Sequence, residues 1–363
     1  MILSFTGKKI TDLVAVVPKN ISRFEDEIDQ YSFDRKKSLN LKKIMGFNEH
    51  RLAPASVTAS DLCEYGFNFL VKKDHFNSND IDALIFISHT PDHFIPQTSS
   101  ILHGKLGLKE DCLCFDINQG CAGFIVGLQQ AFMLLEKDGI EKVALFNGDT
   151  LSHRVNRKDR NSFPVVGDAG SVTIVENDAQ SVRPVNVFMK NRGKDALVLK
   201  IPAGGFRMPS SNETAIAKDV GDGNFRSLDN LSMEGASVFA FVQSEVPKMV
   251  SEILNLESLI PNDIDFFMFH QPNKFMLEKL ADKIGVPRNK MPNNIVENFG
   301  NSNSVTIPVN LTHNLGSRLK EQRSLRLLLA GFGVGLTWGG LVLDVSGLNT
   351  CDLIEYDNDN KEC

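Results

Sequence analysis

Short apolar runs alternating with helix-length segments constrain this chain more than any other feature. "ALIFI" (83–87), "CLCFDI" (112–117) and "KVALFNG" (142–148) read as strands. Between them fall a loop with Pro91 and Pro96, a helix over 97–106 and a second helix after Cys121. The rhythm returns further on: a helix around 233–254, the strand "DFFMFH" (265–270), helices over 274–284 and 304–315, then "LRLLLAG" (325–331) and "LTWGGLVLDV" (336–345) as strands. Such alternation makes sheets layered with helices and predicts two related α/β halves joined near Glu176 to Pro184. Residues 1–180 form the half with Cys121, and 181–345 the half with His270 and Asn301. The acidic stretch 346–363 is expected to fray as a tail.

With 363 residues, 42% of them hydrophobic, the chain can bury two cores or one large two-halved unit. Its net charge of -6 argues against a general nucleic-acid or anionic-membrane binder, which needs a basic excess. No basic-then-apolar leader opens the sequence and no run of about 18 apolar residues occurs, so no membrane span is expected and the cytoplasm is the expected location. The six cysteines (63, 112, 114, 121, 351, 363) then read as reduced thiols. Cys112 and Cys114 alternate along one strand face and are expected to fill the core, and no metal or cofactor is expected.

In "DINQGCAGFIVGLQQA" (116–131) Phe124, Leu128, Phe132 and Leu135 recur at helical spacing, which predicts an amphipathic helix with Cys121 at its first turn. The partial positive charge of a helix start favours a thiolate, so a lowered pKa is expected. Gly120 and Gly123 offer permissive dihedrals and an open approach. This stretch leaves two readings open: a nucleophile, or a small residue filling a tight corner. "FFMFHQPNKF" puts His270 at the carboxyl end of a strand, where ligand-facing residues of open α/β sheets emerge. "ENFGNSNSVTIPV" puts Asn301 in a small-residue loop before a helix. Together His270 and Asn301 can donate hydrogen bonds to one carbonyl oxygen on which negative charge develops. "GFGVGLTWGG" (331–340) reads as a hairpin whose turn can aim a backbone amide at an oxyanion.

Seven stretches, "SHTPDHFIPQTSSILHGKLGL", "FDINQGCAGF", "KDRNSFPVVGDAGSV", "MEGASVFAF", "FHQPN", "NFGNSNSVTIPV" and "GFGVGLTWGG", follow the order of one family. The chain resembles the β-ketoacyl-acyl-carrier-protein synthase III branch of the thiolase superfamily. That resemblance implies an internally duplicated five-layer α-β-α-β-α sandwich, a homodimer, acyl carrier protein as partner, and acyl thioesters of the carrier or of coenzyme A as substrates. Carried over, it makes Cys121 the acyl-accepting nucleophile, His270 and Asn301 the holders of the extender's carbonyl, and the backbone amides of Cys121 and Val334 the oxyanion hole. The implied reaction is decarboxylative condensation of an acyl primer with malonyl-carrier protein.

By the same likeness Ile95 reaches across the dimer to close the partner's acyl pocket, while Arg160, Asn273 and Lys274 contact substrate. The residues that grip the coenzyme A nucleotide in the family align with Asn40 and Ile44, so a primer other than acetyl coenzyme A is expected. Lys279, Lys283, Arg288 and Lys290 form the candidate basic area for an acidic carrier; with Glu278 and Asp282 interspersed, an ordinary solvated helix face is the alternative. Two other functions use the same residues. A same-fold acyltransferase would pass the acyl group to an alcohol or amine, and a papain-like cysteine peptidase has Cys, His and Asn in this chain order but lacks its local context here.

Overall fold

The structure is a computed structural model that describes residues 1–178 and 183–357. The expected boundary at 180, and residues 358–363 with Cys363, lie outside the described residues.

The strand Ala83–Ile87 shows why layers must stack. All five residues are buried; Ala83, Ile85 and Ile87 face one apolar cluster, Leu84 and Phe86 another. A strand that is apolar at both alternate sets of positions needs cover on both faces.

Six strands form the first sheet, in the order Thr350–Tyr356, Lys8–Pro18, Ala169–Asn177, Lys142–Asp149, Ala83–Ile87, Leu113–Ile117. Five form the second: Ile2–Thr6, Pro184–Asn191, Thr337–Val345, Leu325–Gly333, Phe266–Phe269. Four strands of each share one topology. In Lys8–Pro18, Ala169–Asn177, Lys142–Asp149, Ala83–Ile87, neighbours pair antiparallel, antiparallel, parallel, and so they do in Pro184–Asn191, Thr337–Val345, Leu325–Gly333, Phe266–Phe269. Each set lies first, fourth, third, second in chain order, so the duplication is plain in topology where the residues show no repeat.

Helices Gly123–Leu134 and Thr306–Leu319 fill the gap between the sheets, where Phe124, Phe132 and Leu311 share a cluster with Ile85 and Leu145 of one sheet and Leu327 and Leu341 of the other. Helices Ala59–Val71 and Thr98–Lys105 cover the first sheet's outer face; Gly235–Leu256 and Lys274–Ile284 cover the second's. The five-layer α-β-α-β-α sandwich is the expected architecture.

Two expectations change. The helix after Cys121 is not amphipathic: besides Phe124, Leu128 and Phe132 it buries Ile125, Gly127, Gln129 and Ala131, because a sheet lies on either side. A Cβ on Gly127 would lie 2.5 Å from the Leu145 side chain, so glycine permits that close seating. Nor does the acidic stretch fray as far as it is described. Thr350–Tyr356 runs parallel to Lys8–Pro18, with Cys351 and Tyr356 buried and the acidic residues turned outward to cations, Asp352 to Lys320 (2.9 Å) and Glu355 to Arg51 (2.7 Å). Alternation of apolar and acidic residues makes an edge strand of what reads as a charged tail. Cys112 joins the outer cluster and Cys114 packs against it.

Candidate active site

Strand Leu113–Ile117 turns through residues 118–122 into the central helix, and Cys121 stands in that turn, one residue before the N-cap Ala122. Neither Gly120 nor Gly123 takes a left-handed φ, so space rather than dihedral freedom explains them. A Cβ on Gly120 would sit 2.7 Å from the His89 ring, and one on Gly123 2.8 Å from both Ile87 and Ser304. From the opposite sheet the hairpin of Leu325–Gly333 and Thr337–Val345 closes on the sulfur. A Cβ on Gly333 would lie 2.6 Å from Cys121 Sγ, and the Val334 amide donates to that sulfur. The turn accepts the Val334 side chain because Gly335 takes the left-handed φ of 122°.

The expected lowering of the Cys121 pKa does not occur. Burial pushes the thiol up to about 11, against the pull of the Val334 and Cys121 amides, and the nearby Asp149 carboxylate pushes the same way. Desolvation outweighs the helix-end charge because the sulfur is enclosed, with the residue only 7% exposed.

His270 follows strand Phe266–Phe269, its backbone N–H donating to Ala330 O of the neighbouring strand (2.8 Å). Its ring stands edge-on to Phe332, and Nδ1 is hydrogen-bonded to Thr306 Oγ1 (2.7 Å). Burial holds the imidazole neutral, with its pKa lowered to about 3. Asn301 is fixed at the backbone by Asn301 N–H to Val165 O (2.7 Å) and Gly167 N–H to Asn301 O (3.0 Å). Its Oδ1 accepts from Asn303 N–H (2.9 Å), which leaves the Nδ2 hydrogens for a ligand. Asn303 Oδ1 in turn lies 3.8 Å from Cys121 Sγ.

Cys121, Asn301, Asn303 and Val334 line one cavity of about 730 Å³; His270 is 2% exposed and joins them through Thr306 and Asn303. Leu151, Val165, Ile201, Val238 and Phe239 make much of the remaining wall apolar. Asn273 lines it as well, while also capping helix Lys274–Ile284 through Met276 N–H (2.8 Å). Arg160 does not line the cavity: its guanidinium stacks 3.6 Å over the Phe33 ring. Lys274 pairs with Glu297 (3.6 Å) and Ile95 is 87% exposed, so neither lines it. Asn40 and Ile44 face solvent. Of the four candidate docking cations, Arg288 is engaged by Glu278 (3.0 Å) and Asp282 (2.8 Å), and Lys290 by the carbonyl of Ile264 (2.7 Å). Lys279 lies 5.7 Å from the Phe275 ring centroid, and Lys283 is exposed.

Asn303, Thr306, His89 and Asp149 also belong to the site and were not singled out from sequence. One signal for Asn303 was available: a residue that tolerates left-handed backbone, two positions after Asn301. Among the described residues there is no cluster of three or more His, Cys, Asp or Glu able to hold a metal, and no helix long and apolar enough to cross a membrane.

Comparison with known proteins supplies the chemistry's context. The family described as 3-oxoacyl-[acyl-carrier-protein (ACP)] synthase III matches residues 115–193, and its C-terminal counterpart matches 254–345. The chain is 31% identical to a β-ketoacyl-[acyl-carrier-protein] synthase III of Porphyra purpurea over 82% of this chain and 88% of that one. A protein of the same description from Caldanaerobacter subterraneus subsp. tengcongensis is 30% identical over 82% and 86% of the two chains. The crystal structure of a 3-oxoacyl-(acyl-carrier protein) synthase from Burkholderia xenovorans LB400 superposes with a TM-score of 0.90 at 34% identity, covering 98% of this chain and 99% of that one.

Proposed function

The chain belongs to the 3-oxoacyl-[acyl-carrier-protein] synthase III family, and from that premise we propose that it condenses an acyl primer with malonyl-carrier protein through an acyl group carried on Cys121. The observation that carries this reading is one cavity lined by Cys121, Asn301 and the Val334 turn, with His270 tied behind it. In the first half-reaction Cys121 sulfur attacks the primer thioester carbon. A new S–C bond forms, the bond to the departing thiolate breaks, and the Cys121 proton ends on that thiol. The amides of Cys121 and Val334, which already point at the sulfur, take the carbonyl oxygen as it gains charge.

In the second half-reaction the malonyl carboxylate leaves as carbon dioxide and its bonding electrons become an enolate. Its oxygen is held by Asn301 Nδ2 and His270 Nε2, its carbon attacks the acyl group, and Cys121 departs as a thiolate that regains a proton. His270 Nε2 carries hydrogen in the tautomer in which the single Thr306 hydroxyl hydrogen turns from the Asn303 carbonyl (2.9 Å) to Nδ1 (2.7 Å). A neutral imidazole suits the task, because it stabilises the enolate without the acidity that would quench it before the C–C bond forms. The same-fold alternative, transfer to an alcohol or amine, needs no such pair of donors.

The primer reading is an acyl chain on a carrier, or an unusual acyl coenzyme A. It is supported by Arg160 stacked on Phe33 and by Asn40 and Ile44 facing solvent. Carrier docking is assigned to Lys279 and Lys283, the two candidate cations that form no ion pair within 4.0 Å and no hydrogen bond among the described residues. A homodimer is supported by the exposed apolar group of Phe94, Ile95 and Phe206, with Ile95 offered to the partner's acyl pocket. Intact-protein mass spectrometry with a panel of acyl thioesters tests the core reading. Wild type should retain the acyl mass and Cys121→Ala should not, while carbon dioxide release from malonyl-carrier protein collapses in H270A and N301A. Acyl retention by Cys121→Ala, or undiminished release in both other variants, refutes it.

A further inference from the structure

Asn303 touches the settings of all three proposed catalytic groups. It is buried, yet it holds φ at 53°, a left-handed conformation that costs a side-chain-bearing residue about 1 kcal/mol or more. Its N–H donates to Asn301 Oδ1 (2.9 Å). Its carbonyl accepts the Thr306 hydroxyl (2.9 Å), the group bonded to His270 Nδ1. Its side-chain Oδ1 lies 3.8 Å from Cys121 Sγ, within reach of the thiol hydrogen.

The other end of that amide faces Asp149, which is fully buried at the end of strand Lys142–Asp149. Asp149 Oδ1 already accepts the His89 N–H (2.8 Å) and lies within 3.4 Å of the Ser88 and Thr90 hydroxyls. Asn303 Nδ2 and Asp149 Oδ2 are both buried and neither has a hydrogen-bond partner among the described residues, while the amide lies near enough to this carboxyl to oppose the rise of its pKa. Once ionised, this carboxyl only accepts, so it favours the amide's NH2 end on its side and Oδ1 toward the sulfur.

We propose that Asn303 is the positioning residue of this site: its amide, oriented by Asp149, holds the Cys121 thiol proton, while its backbone holds Asn301 directly and His270 through Thr306. With its hydrogen held on Oδ1, the sulfur keeps its lone pairs for the incoming thioester carbon. As the S–C bond forms, the proton leaves Oδ1 and ends on the departing thiol, so the amide itself is unchanged. The other titratable groups around this chain are His89, His270 and Cys63, with Asp92 beyond Cys63. Burial keeps both imidazoles and the Cys63 thiol uncharged at neutral pH and pushes the Asp149 carboxyl itself up to about 7, so Asp149 is the charge that acts on Cys121 above that pH.

This inference rests on the acyl-Cys121 reading, and two half-reactions separate their fates. N303G removes the side chain and suits the backbone, because φ of 53° is glycine's own region. Acylation of Cys121 by an acyl thioester should fall about 10- to 100-fold, while malonyl decarboxylation, which depends on the retained backbone links, stays within about threefold of wild type. In D149N the carboxylate charge and the forced amide orientation are both gone, so iodoacetamide should alkylate Cys121 about tenfold faster at about pH 9. Equal loss of both half-reactions in N303G, or loss of neither, overturns the proposal, as does an unchanged or slower alkylation of D149N. Should N303G not fold, the D149N result decides alone. If wild type itself retains no acyl group, the underlying reading fails before any variant is compared.

Discussion

Gly333→Ala probes how closely the hairpin grips Cys121. The added methyl would sit 2.5 Å from Cys121 Cβ and 2.6 Å from Sγ, where ordinary contact begins at 3.4 Å, so about 0.8–1 Å of separation must be found. Neither side yields freely. Gly331 on the same strand is pressed against Ala122, where a Cβ would come within 2.8 Å of Cα, and Cys121 is held from behind by the buried central helix. Overpacking of this kind costs about 1–3 kcal/mol of stability, which the two large cores can absorb with a melting drop of a few degrees. The functional cost is greater. A displacement of about 1 Å at a reacting centre costs about 100-fold in rate, equivalent to about 2.7 kcal/mol of barrier. Time-resolved intact-mass measurement of Cys121 acylation reads this directly. Acylation within about twofold of wild type, in a protein that melts normally, would show that the sulfur has slack the geometry denies.

The remaining expectations follow from charge and burial. Iodoacetamide labelling of Cys121 should titrate with a midpoint near 11; a midpoint at or below an ordinary thiol's would mean that the helix start, not desolvation, governs the sulfur. His270 is neutral when folded, with its pKa lowered to about 3 from 6.5, so the unfolded chain binds more protons across that window. Stability present above about pH 6.5 is therefore lost as pH falls toward 3, and H270Q, compared by denaturant midpoints at two pH values, should lose less than wild type. Arg160→Ala should leave the KM for an acyl coenzyme A substrate unchanged, since the guanidinium lies on Phe33 and outside the cavity; a severalfold rise would return it to the nucleotide. Lys283→Glu should weaken carrier affinity, and an unchanged affinity would remove that residue from the docking surface.

Where apolar residues ran continuously or recurred at helical spacing, the elements were legible. "ALIFI" became Ala83–Ile87 and the helix over 274–284 is Lys274–Ile284, because local pattern and burial agree there. That Cys121, His270 and Asn301 come together was legible through the motifs that carry them: Cys121 and Asn301 line one cavity and His270 lies behind it. What was not legible is whatever depends on depth and on the opposite sheet. The helix after Cys121 carries the same Phe124, Leu128 and Phe132 spacing whether one face or both are covered, so its two-sided burial stayed hidden. The same second covering layer reversed the expected shift of the thiol. Asn303 and Asp149 stand 154 positions apart in sequence numbering, and only the fold brings amide and carboxylate together. The edge strand Thr350–Tyr356 was missed because its charges were read without the apolar residues between them.

That strand also has a temporal meaning. During synthesis the sheet that leads into Cys121 cannot be completed when its own half emerges, because Thr350–Tyr356, which seals the side of Lys8–Pro18, leaves the ribosome after every other strand of both sheets. Until then an unpaired row of amides and carbonyls lies open to any neighbouring chain. Ile2–Thr6 makes the reciprocal commitment, waiting for Pro184–Asn191 before it has a partner. Each sheet thus takes an edge from the other's end of the polypeptide, and a gene cut at the midpoint would yield two fragments that each lack a border strand.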